Sequence, residues 1–143
     1  MPHLVILYTG QLDAEVHMTT LCRQMADAML TVKDESGKQV FPTGGTRVLA
    51  YPAPHYAVAD GGAAGRDAGG SGDYAFVYLN VRMGRGRTEA TQQSAGQTLL
   101  EVAKAFFAPV MAQRHIGITL QIDVGPEVFD AKHSNLHPLF NKV

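Results

Sequence analysis

The chain repeats one folding plan twice: an apolar strand, an amphipathic helix and a second strand. In the first half, residues 4–8 (LVILY) form a short apolar run that predicts a buried strand. Apolar residues recur every four positions between residues 18 and 31, which predicts a helix with one buried face. Residues 46–51 (TRVLAY) predict a second strand. Because a helical crossover joins parallel strands, this half should form a parallel pair.

The second half follows the same plan with stronger signals. Residues 74–81 (YAFVYLNV) are rich in aromatic and β-branched side chains and predict a strand. A long helix is predicted from an N-cap at Thr88 to about Arg114, and Pro109 should kink this helix or end it early because it lacks a backbone donor. Residues 116–124 (IGITLQIDV) alternate with period two, which predicts a fourth strand.

These elements predict a single α+β domain spanning residues 1–143, built from two β-α-β units with both helices on one face of a sheet. A chain of this length buries roughly 70% of its unfolded surface, enough for a core without metal or disulfide support. Two helices leave the other sheet face uncovered, and only 17% of the residues are charged, against about a quarter in typical domains. We therefore expect that face to be buried against another subunit.

The connecting segments carry fewer signals. Residues 33–38 (KDESGK) predict a turn. Residues 60–72 hold six of the 15 glycines, which predicts a flexible surface loop without helix or strand, with a lid over a site as the alternative. The tail, residues 126–143, has apolar anchors and should pack against the domain. These anchors are Phe129, Leu136, Leu139 and Phe140.

Charge and composition exclude several classes of protein. Twelve basic against 13 acidic residues give a net charge of −1, without the basic excess of a nucleic-acid binder. An apolar content of 45% excludes a disordered chain. No apolar run approaches the roughly 20 residues of a membrane span, and the N-terminus lacks the pattern of a signal peptide. The single cysteine, Cys22, suits a reducing compartment. We expect a cytoplasmic protein with no nucleic-acid or membrane partner.

Pro2 is the first candidate for chemistry. Removal of the initiator methionine would leave proline as the N-terminus, a secondary amine held in a rigid ring. An α-amino group titrates at about 7.7–8.0, and an apolar pocket or nearby cations lower that pKa further. Such an amine can act as a general base near neutral pH. If Met1 is retained, the Pro2 nitrogen is an amide and cannot accept a proton.

Arginine placement is the second candidate feature. Arg87 lies where a predicted strand gives way to a helix, a position that suits a carboxylate or phosphate. Arg47 opens the second predicted strand directly after a glycine-containing turn. Arg82 and Arg85 are nearby, and we interpret both as solvated surface charges.

Other reactive side chains are isolated. His133 and His137 lie four residues apart, but no third ligand stands at motif spacing, so we expect no metal site. Cys22 falls on the apolar stripe of the first helix, which indicates a small core residue.

Four segments together resemble the 5-carboxymethyl-2-hydroxymuconate isomerase family of the tautomerase superfamily. They are Met1-Pro2-His3 before a strand, FPTGGTR (41–47), DYAFVYLNVRMGRGRT (73–88) and SNLHPLF (134–140). The resemblance spans nearly the whole chain. It implies a fold like that of macrophage migration inhibitory factor. It also implies a homotrimer with the sheets facing inward and with the pockets near the subunit interfaces.

The resemblance also implies a reaction without cofactor or metal. The substrate would be a small polycarboxylate, a 2-hydroxymuconate-type dienol or its unsaturated 2-oxo acid, met in the breakdown of aromatic compounds. Pro2 would be the general base, and Arg47 and Arg87 would hold substrate carboxylates, with an arginine from either the same or a neighbouring subunit. The alternatives are a tautomerase acting on a different 2-oxo acid and a non-catalytic trimer that binds a small carboxylate.

This chain departs from the family pattern in three places. The connections at residues 33–38 and 60–72 are longer than usual, and Pro109 interrupts the second helix.

Overall fold

The computed structural model describes residues 2–140, so Met1 and the question of its removal lie outside the described residues. The elements are four strands, three α-helices and three short 3-10 turns. In chain order they are β1 (His3–Thr9), a 3-10 turn (Gly10–Ala14), α1 (Met18–Thr31), a 3-10 turn (Thr43–Gly45), β2 (Arg47–Ala53), α2 (Ala63–Asp67), β3 (Ala75–Met83), α3 (Glu89–Met111), β4 (Ile116–Val124) and a 3-10 turn (His137–Leu139).

The four strands form one mixed sheet in the order β2-β1-β3-β4. β1 is parallel to β2 and β3 is parallel to β4, which confirms the parallel pair predicted for each half. The two halves join through an antiparallel pairing of β1 with β3. Because of this pairing, the start of β1, the start of β2 and the ends of β3 and β4 lie at one end of the sheet.

The core lies between one face of this sheet and the helices α1 and α3. Burial alternates along the strands, so that Leu4 and Ile6 of β1 and Val77 and Leu79 of β3 are fully buried. They form one apolar cluster with the inner stripes of α1 and α3, to which Phe107 belongs. The two helices also contact each other. The prediction of two helices on one sheet face is confirmed.

The opposite face of the sheet has no covering element of this chain among the described residues. Leu7, Leu49 and Tyr51 are about half exposed there, at 46%, 46% and 51%. The strand register places Leu7 between Tyr51 and Tyr78, so these side chains form one apolar row across three strands. An exposed apolar row of this kind is typical of a contact surface.

Helix α3 begins as the sequence predicts. Thr88 is its N-cap, and the Thr88 hydroxyl accepts a 3.2 Å hydrogen bond from the Thr91 backbone amide. The helix ends at Met111, three residues before the predicted end at Arg114. Pro109 lies inside the helix, so the proline does not end the helix at its own position.

The glycine-rich segment contradicts one expectation, because residues 63–67 form the short helix α2. The Asp60 carboxylate accepts hydrogen bonds of 2.9 Å from the backbone amides of Gly62 and Ala64, and the Tyr74 hydroxyl accepts one from the Gly65 amide. These bonds offset the entropy that glycine loses on ordering. Gly62 has φ of 104°, and a Cβ there would lie 2.1 Å from the Gly72 carbonyl oxygen, so this glycine is required for close approach.

The expectation that the tail packs against the domain through its apolar anchors is largely wrong, because Leu136, Leu139 and Phe140 are 47%, 63% and 50% exposed. Phe129 is 84% exposed, because no element of the described chain faces it. Near its end the tail does contact the domain, where the His137 side chain lies against Gly44. No helix among residues 2–140 is long and apolar enough to cross a membrane.

Candidate active site

Pro2 and Arg47 lie at the same end of the sheet. Pro2 is buried and directly precedes β1, whose first residue, His3, pairs with Arg47 of β2 on one side and Arg82 of β3 on the other. The Arg47 side chain is half-buried and its Nη1 donates a 2.9 Å hydrogen bond to the Gly44 carbonyl oxygen. The parallel pairing of β1 with β2 therefore places Pro2 and Arg47 at the same end of the sheet.

Arg87 lies at the same end of the sheet, in the connection from β3 to α3. Its half-buried guanidinium donates a 2.7 Å hydrogen bond from Nη2 to the Val40 carbonyl oxygen. Arg87 lines a cavity of about 280 Å³ together with Glu35, Lys38, Arg85 and other residues of these two connections. Pro2 and Arg47 are not among the residues that line this cavity.

One segment binds both site arginines. Val40 accepts the hydrogen bond from Arg87, and Gly44, four residues later, accepts the bond from Arg47. Between them the fully buried Phe41 anchors the segment in the core, and its carbonyl oxygen accepts a 2.7 Å bond from the Gln39 side chain. The connection from α1 to β2 therefore sets the positions of both guanidinium groups.

Neither site arginine is paired with a carboxylate in the described part of the chain. Within residues 2–140, neither Arg47 nor Arg87 forms an ion pair with a carboxylate, and each bonds a backbone carbonyl instead. A guanidinium has five N–H donors, so each retains donors for another acceptor. Two half-buried arginines in this state suit an anionic ligand with carboxylate groups.

Arg85 is exposed and the Arg82 side chain is 40% exposed, which agrees with the interpretation of both as solvated surface charges, and each has a partner in the loop after β4. Arg82 forms an ion pair of 3.4 Å with Glu127, and Arg85 Nε donates a 2.9 Å hydrogen bond to the Gly125 carbonyl oxygen. Both hold the segment that follows β4 against the end of β3. That segment is a loop without periodicity, so the sequence did not indicate its contacts.

The remaining candidates carry no chemistry in this structure. Cys22 is half-buried against the core, and burial raises the pKa of its thiol, which is the reverse of what an activated nucleophile requires. His133 is exposed, whereas His137 lies in a short 3-10 turn and is half-buried. Among residues 2–140, no group of three or more His, Cys, Asp or Glu side chains is arranged to hold a metal ion.

Comparison with known proteins assigns the chain to a family. A family model described as 5-carboxymethyl-2-hydroxymuconate isomerase matches residues 2–140. The chain belongs to the 5-carboxymethyl-2-hydroxymuconate isomerase family. It is 25% identical to the 5-carboxymethyl-2-hydroxymuconate Delta-isomerase of Escherichia coli over 98% of this chain and 99% of that protein. The family resemblance predicted from the sequence is confirmed, and with it the expectation of an enzyme.

Solved structures agree with this assignment. The crystal structure of a 5-carboxymethyl-2-hydroxymuconate delta-isomerase is 67% identical in sequence and superposes with a TM-score of 0.97. The match covers 100% of this chain and 95% of the isomerase chain. A fused 4-OT asymmetric trimer is 14% identical with a TM-score of 0.55 over 98% of this chain and 99% of its own, which shows a shared fold alone. The α+β fold of the isomerase family is therefore confirmed for this chain.

One feature of this isomerase family member was not expected from its sequence. Residues 33–38 carry only turn signals, yet the Glu35 carboxylate accepts a hydrogen bond from the Thr88 hydroxyl at the start of α3. The same turn therefore reaches the residue next to Arg87. The only sequence signal for this contact was an acidic residue, Glu35, in an unusually long turn. No sequence pattern indicates which helix such a turn contacts.

Proposed function

We propose that this chain is a cofactor-independent isomerase that shifts a proton within an unsaturated 2-hydroxy or 2-oxo polycarboxylate resembling 5-carboxymethyl-2-hydroxymuconate. The observation that carries the proposal is the position of Pro2, buried at the start of β1 and directly before the residue that pairs with Arg47. Membership in the isomerase family supports the same reaction class.

Pro2 nitrogen is the proposed general base. With Met1 removed, its lone pair accepts the proton of the enol oxygen or α-position and returns a proton to a distant carbon of the conjugated system. The double bonds shift between these positions, and no atom is gained or lost overall. Burial and nearby guanidinium charges both disfavour the ammonium form of the proline, so they keep the base ready near neutral pH.

Arg47 and Arg87 are the proposed carboxylate-binding residues. Each bonds one backbone carbonyl and has donors left for a substrate oxygen. In the transition state, negative charge spreads from the reacting carbon onto the 2-oxo group, and a prepositioned guanidinium stabilises it. A polycarboxylate substrate explains why a nearly neutral chain keeps two cations unpaired at the same end of one sheet.

A homotrimer is the proposed assembly. The exposed apolar row across Leu7, Tyr51 and Tyr78 supports burial of the open sheet face against other copies. The fused 4-OT protein of the same fold is a trimer. In the proposed assembly, a neighbouring subunit forms a pocket at Pro2 together with this chain. The proposed setting is the cytoplasmic breakdown of aromatic compounds, with no cofactor.

A spectrophotometric assay tests the proposed function. The mature protein, with loss of Met1 verified by intact mass, is given 5-carboxymethyl-2-hydroxymuconate, related 2-hydroxymuconates and related 2-oxo acids, and the change of conjugation is followed by absorbance. Enzymatic acceleration with the first substrate supports the proposal. Turnover of only another 2-oxo acid indicates a tautomerase of different specificity, and binding without turnover indicates a carboxylate-binding protein; either result overturns it.

A further inference from the structure

The long connection at residues 32–40 is a closed hairpin. The Val40 amide donates a 2.9 Å hydrogen bond to the Val32 carbonyl, and the Asp34 amide donates one of 2.8 Å to the Lys38 carbonyl. Inside the turn, the Asp34 carboxylate accepts hydrogen bonds from the amides of Ser36 and Lys38. Val32 and Val40 are buried, so the base of the 32–40 hairpin is fixed in the core.

This hairpin contacts two consecutive residues at the start of α3. The Val40 carbonyl oxygen accepts a 2.7 Å bond from the Arg87 guanidinium, and the Glu35 carboxylate accepts a bond from the Thr88 hydroxyl. Thr88 is the N-cap of α3, and its hydroxyl also accepts a hydrogen bond from the Thr91 backbone amide in the first turn of the helix. The hairpin thereby contacts both the Arg87 side chain and the next residue, Thr88.

We propose that Glu35 is a positioning residue for the isomerase reaction, acting through Thr88 to hold the 32–40 hairpin against the α3 start so that the Val40 carbonyl directs the Arg87 guanidinium toward the substrate. This inference rests on the proposed function, because it assumes that Arg87 binds a substrate carboxylate. Glu35 itself does not touch the reacting atoms.

The charges around Glu35 are consistent with this role. A carboxylate at the start of a helix interacts favourably with the helix dipole. The hydrogen bond from Thr88 also lowers the pKa of Glu35, so the group stays ionised at neutral pH. Arg87 forms no ion pair with Glu35, since the hairpin presents its carboxylate to Thr88 and a neutral carbonyl to the guanidinium. The positive charge of Arg87 therefore remains available to a substrate anion.

Glu35 is exposed, so its contacts contribute little to global stability, whereas a small displacement of a substrate-binding group is costly in catalysis. This difference separates positioning from a structural role. Glu35→Ala removes the acceptor for Thr88, whereas Glu35→Gln keeps an oxygen that can accept the same hydrogen bond. Glu101→Ala is the matched control, because Glu101 is an exposed glutamate on α3 whose partners are Gln97 and Lys104.

The experiment compares kcat, KM and thermal unfolding of these variants with 5-carboxymethyl-2-hydroxymuconate. We expect Glu35→Ala to lower kcat/KM about tenfold, with Tm unchanged. Glu35→Gln should recover at least half of the wild-type value, and Glu101→Ala should match the wild type. In a Thr88→Val background, Glu35→Ala should have a smaller further effect than in the wild type, because the bond from Thr88 is already absent and only the contact of Glu35 with Thr91 remains.

The outcomes distinguish the two proposals. An active wild type with an equally active Glu35→Ala variant overturns the positioning role and leaves the proposed function standing. Equal losses in Glu35→Gln and Glu35→Ala overturn it as well, because they would show that charge rather than the hydrogen bond matters. A correctly processed wild type that turns over none of the 2-hydroxymuconates overturns both.

Discussion

The guanidinium of Arg87 donates a 2.7 Å hydrogen bond to the carbonyl oxygen of Val40, 47 residues earlier in the chain. Through this bond the connection between the first helix and second strand sets the direction of a charged group in the other half of the domain. The same connection holds Arg47 through the Gly44 carbonyl. Two proposed substrate-binding groups from different halves thus depend on one segment, and substitutions can test each group separately.

Removal of either arginine should lower turnover. Arg47→Ala and Arg87→Ala each remove a charge-assisted contact with a substrate carboxylate, so kcat/KM should fall by about 10- to 100-fold. Arg87→Lys keeps the charge but loses the planar guanidinium group, so its kcat/KM should lie between those of the wild type and Arg87→Ala. Arg23→Ala is the matched control, because Arg23 is an exposed arginine that pairs with Asp27 on α1. Wild-type rates in both site variants would exclude them from the site.

Replacement of the proline should reduce the rate of proton transfer. Pro2→Ala still permits removal of Met1 and leaves a free amine, but the amine is primary and no longer held in a ring. Since a positioned general base contributes about 10²- to 10⁴-fold, we expect kcat to fall by at least tenfold. Steady-state kinetics on protein of verified intact mass measure this. A Pro2→Ala variant with unchanged kcat would remove Pro2 from the mechanism.

Substitution on the open sheet face should disrupt the assembly. Leu7→Lys places a charge within the apolar row formed with Tyr51 and Tyr78, so burial of that face becomes unfavourable. We expect the wild type to scatter light as a particle of about three times the 15.4 kDa chain mass, and the variant to scatter as a smaller one. Ala105→Lys, on the exposed side of α3, should keep the wild-type mass. A wild-type monomer would contradict the proposed trimer.

Tyr8 should make stability depend on pH in the alkaline range. Burial, with a 2.6 Å hydrogen bond to Asp13, raises the pKa of Tyr8 from 10.0 to about 12. The unfolded chain releases this proton at lower pH than the folded chain, so the stabilisation is complete below pH 10 and is lost as pH rises through about 12. Urea unfolding at pH 9 and pH 11, at one protein concentration, measures the decrease.

The matched variants separate Tyr8 from general alkaline effects. Tyr8→Phe removes the titrating group, so its free energy of unfolding should decrease less between pH 9 and pH 11 than that of the wild type. For Tyr56→Phe, which replaces an exposed tyrosine, the free energy of unfolding should decrease between pH 9 and pH 11 as it does for the wild type. A Tyr8→Phe variant with the full wild-type decrease would refute this account of the pH dependence.

Regular periodicity made most of the fold predictable. Residues 18–31 and 116–124 were predicted with the bounds that the structure has, because their apolar spacing is uninterrupted. The second strand was predicted to end at Tyr51 but continues to Ala53 through Pro52, which an edge strand tolerates. The proposed site residues Pro2, Arg47 and Arg87 drew attention because each stands at the end of a recognisable element, but their roles came from the family resemblance.

Long-range side-chain contacts could not be predicted in the same way. The bond between Glu35 and Thr88 joins a turn to a helix start 53 residues later, and nothing in local composition specifies such a pairing. Helix α2 was not predicted, because glycine content indicates only the entropy cost of ordering the segment. The hydrogen bonds that offset this cost come from Asp60 and Tyr74, and glycine content does not indicate them. The exposed Phe129 shows that an apolar residue indicates burial only where some surface faces it.

The chemical state of the Pro2 nitrogen tests the central claim most directly. Two proteins are compared: the mature chain beginning at Pro2, and the same chain with one alanine added before Pro2, so that the nitrogen becomes an amide. Turnover of 5-carboxymethyl-2-hydroxymuconate is measured on both after intact mass and folding are verified. We expect turnover by the first protein and a loss of at least about 10²-fold in the second. Equal turnover by the two proteins would contradict it.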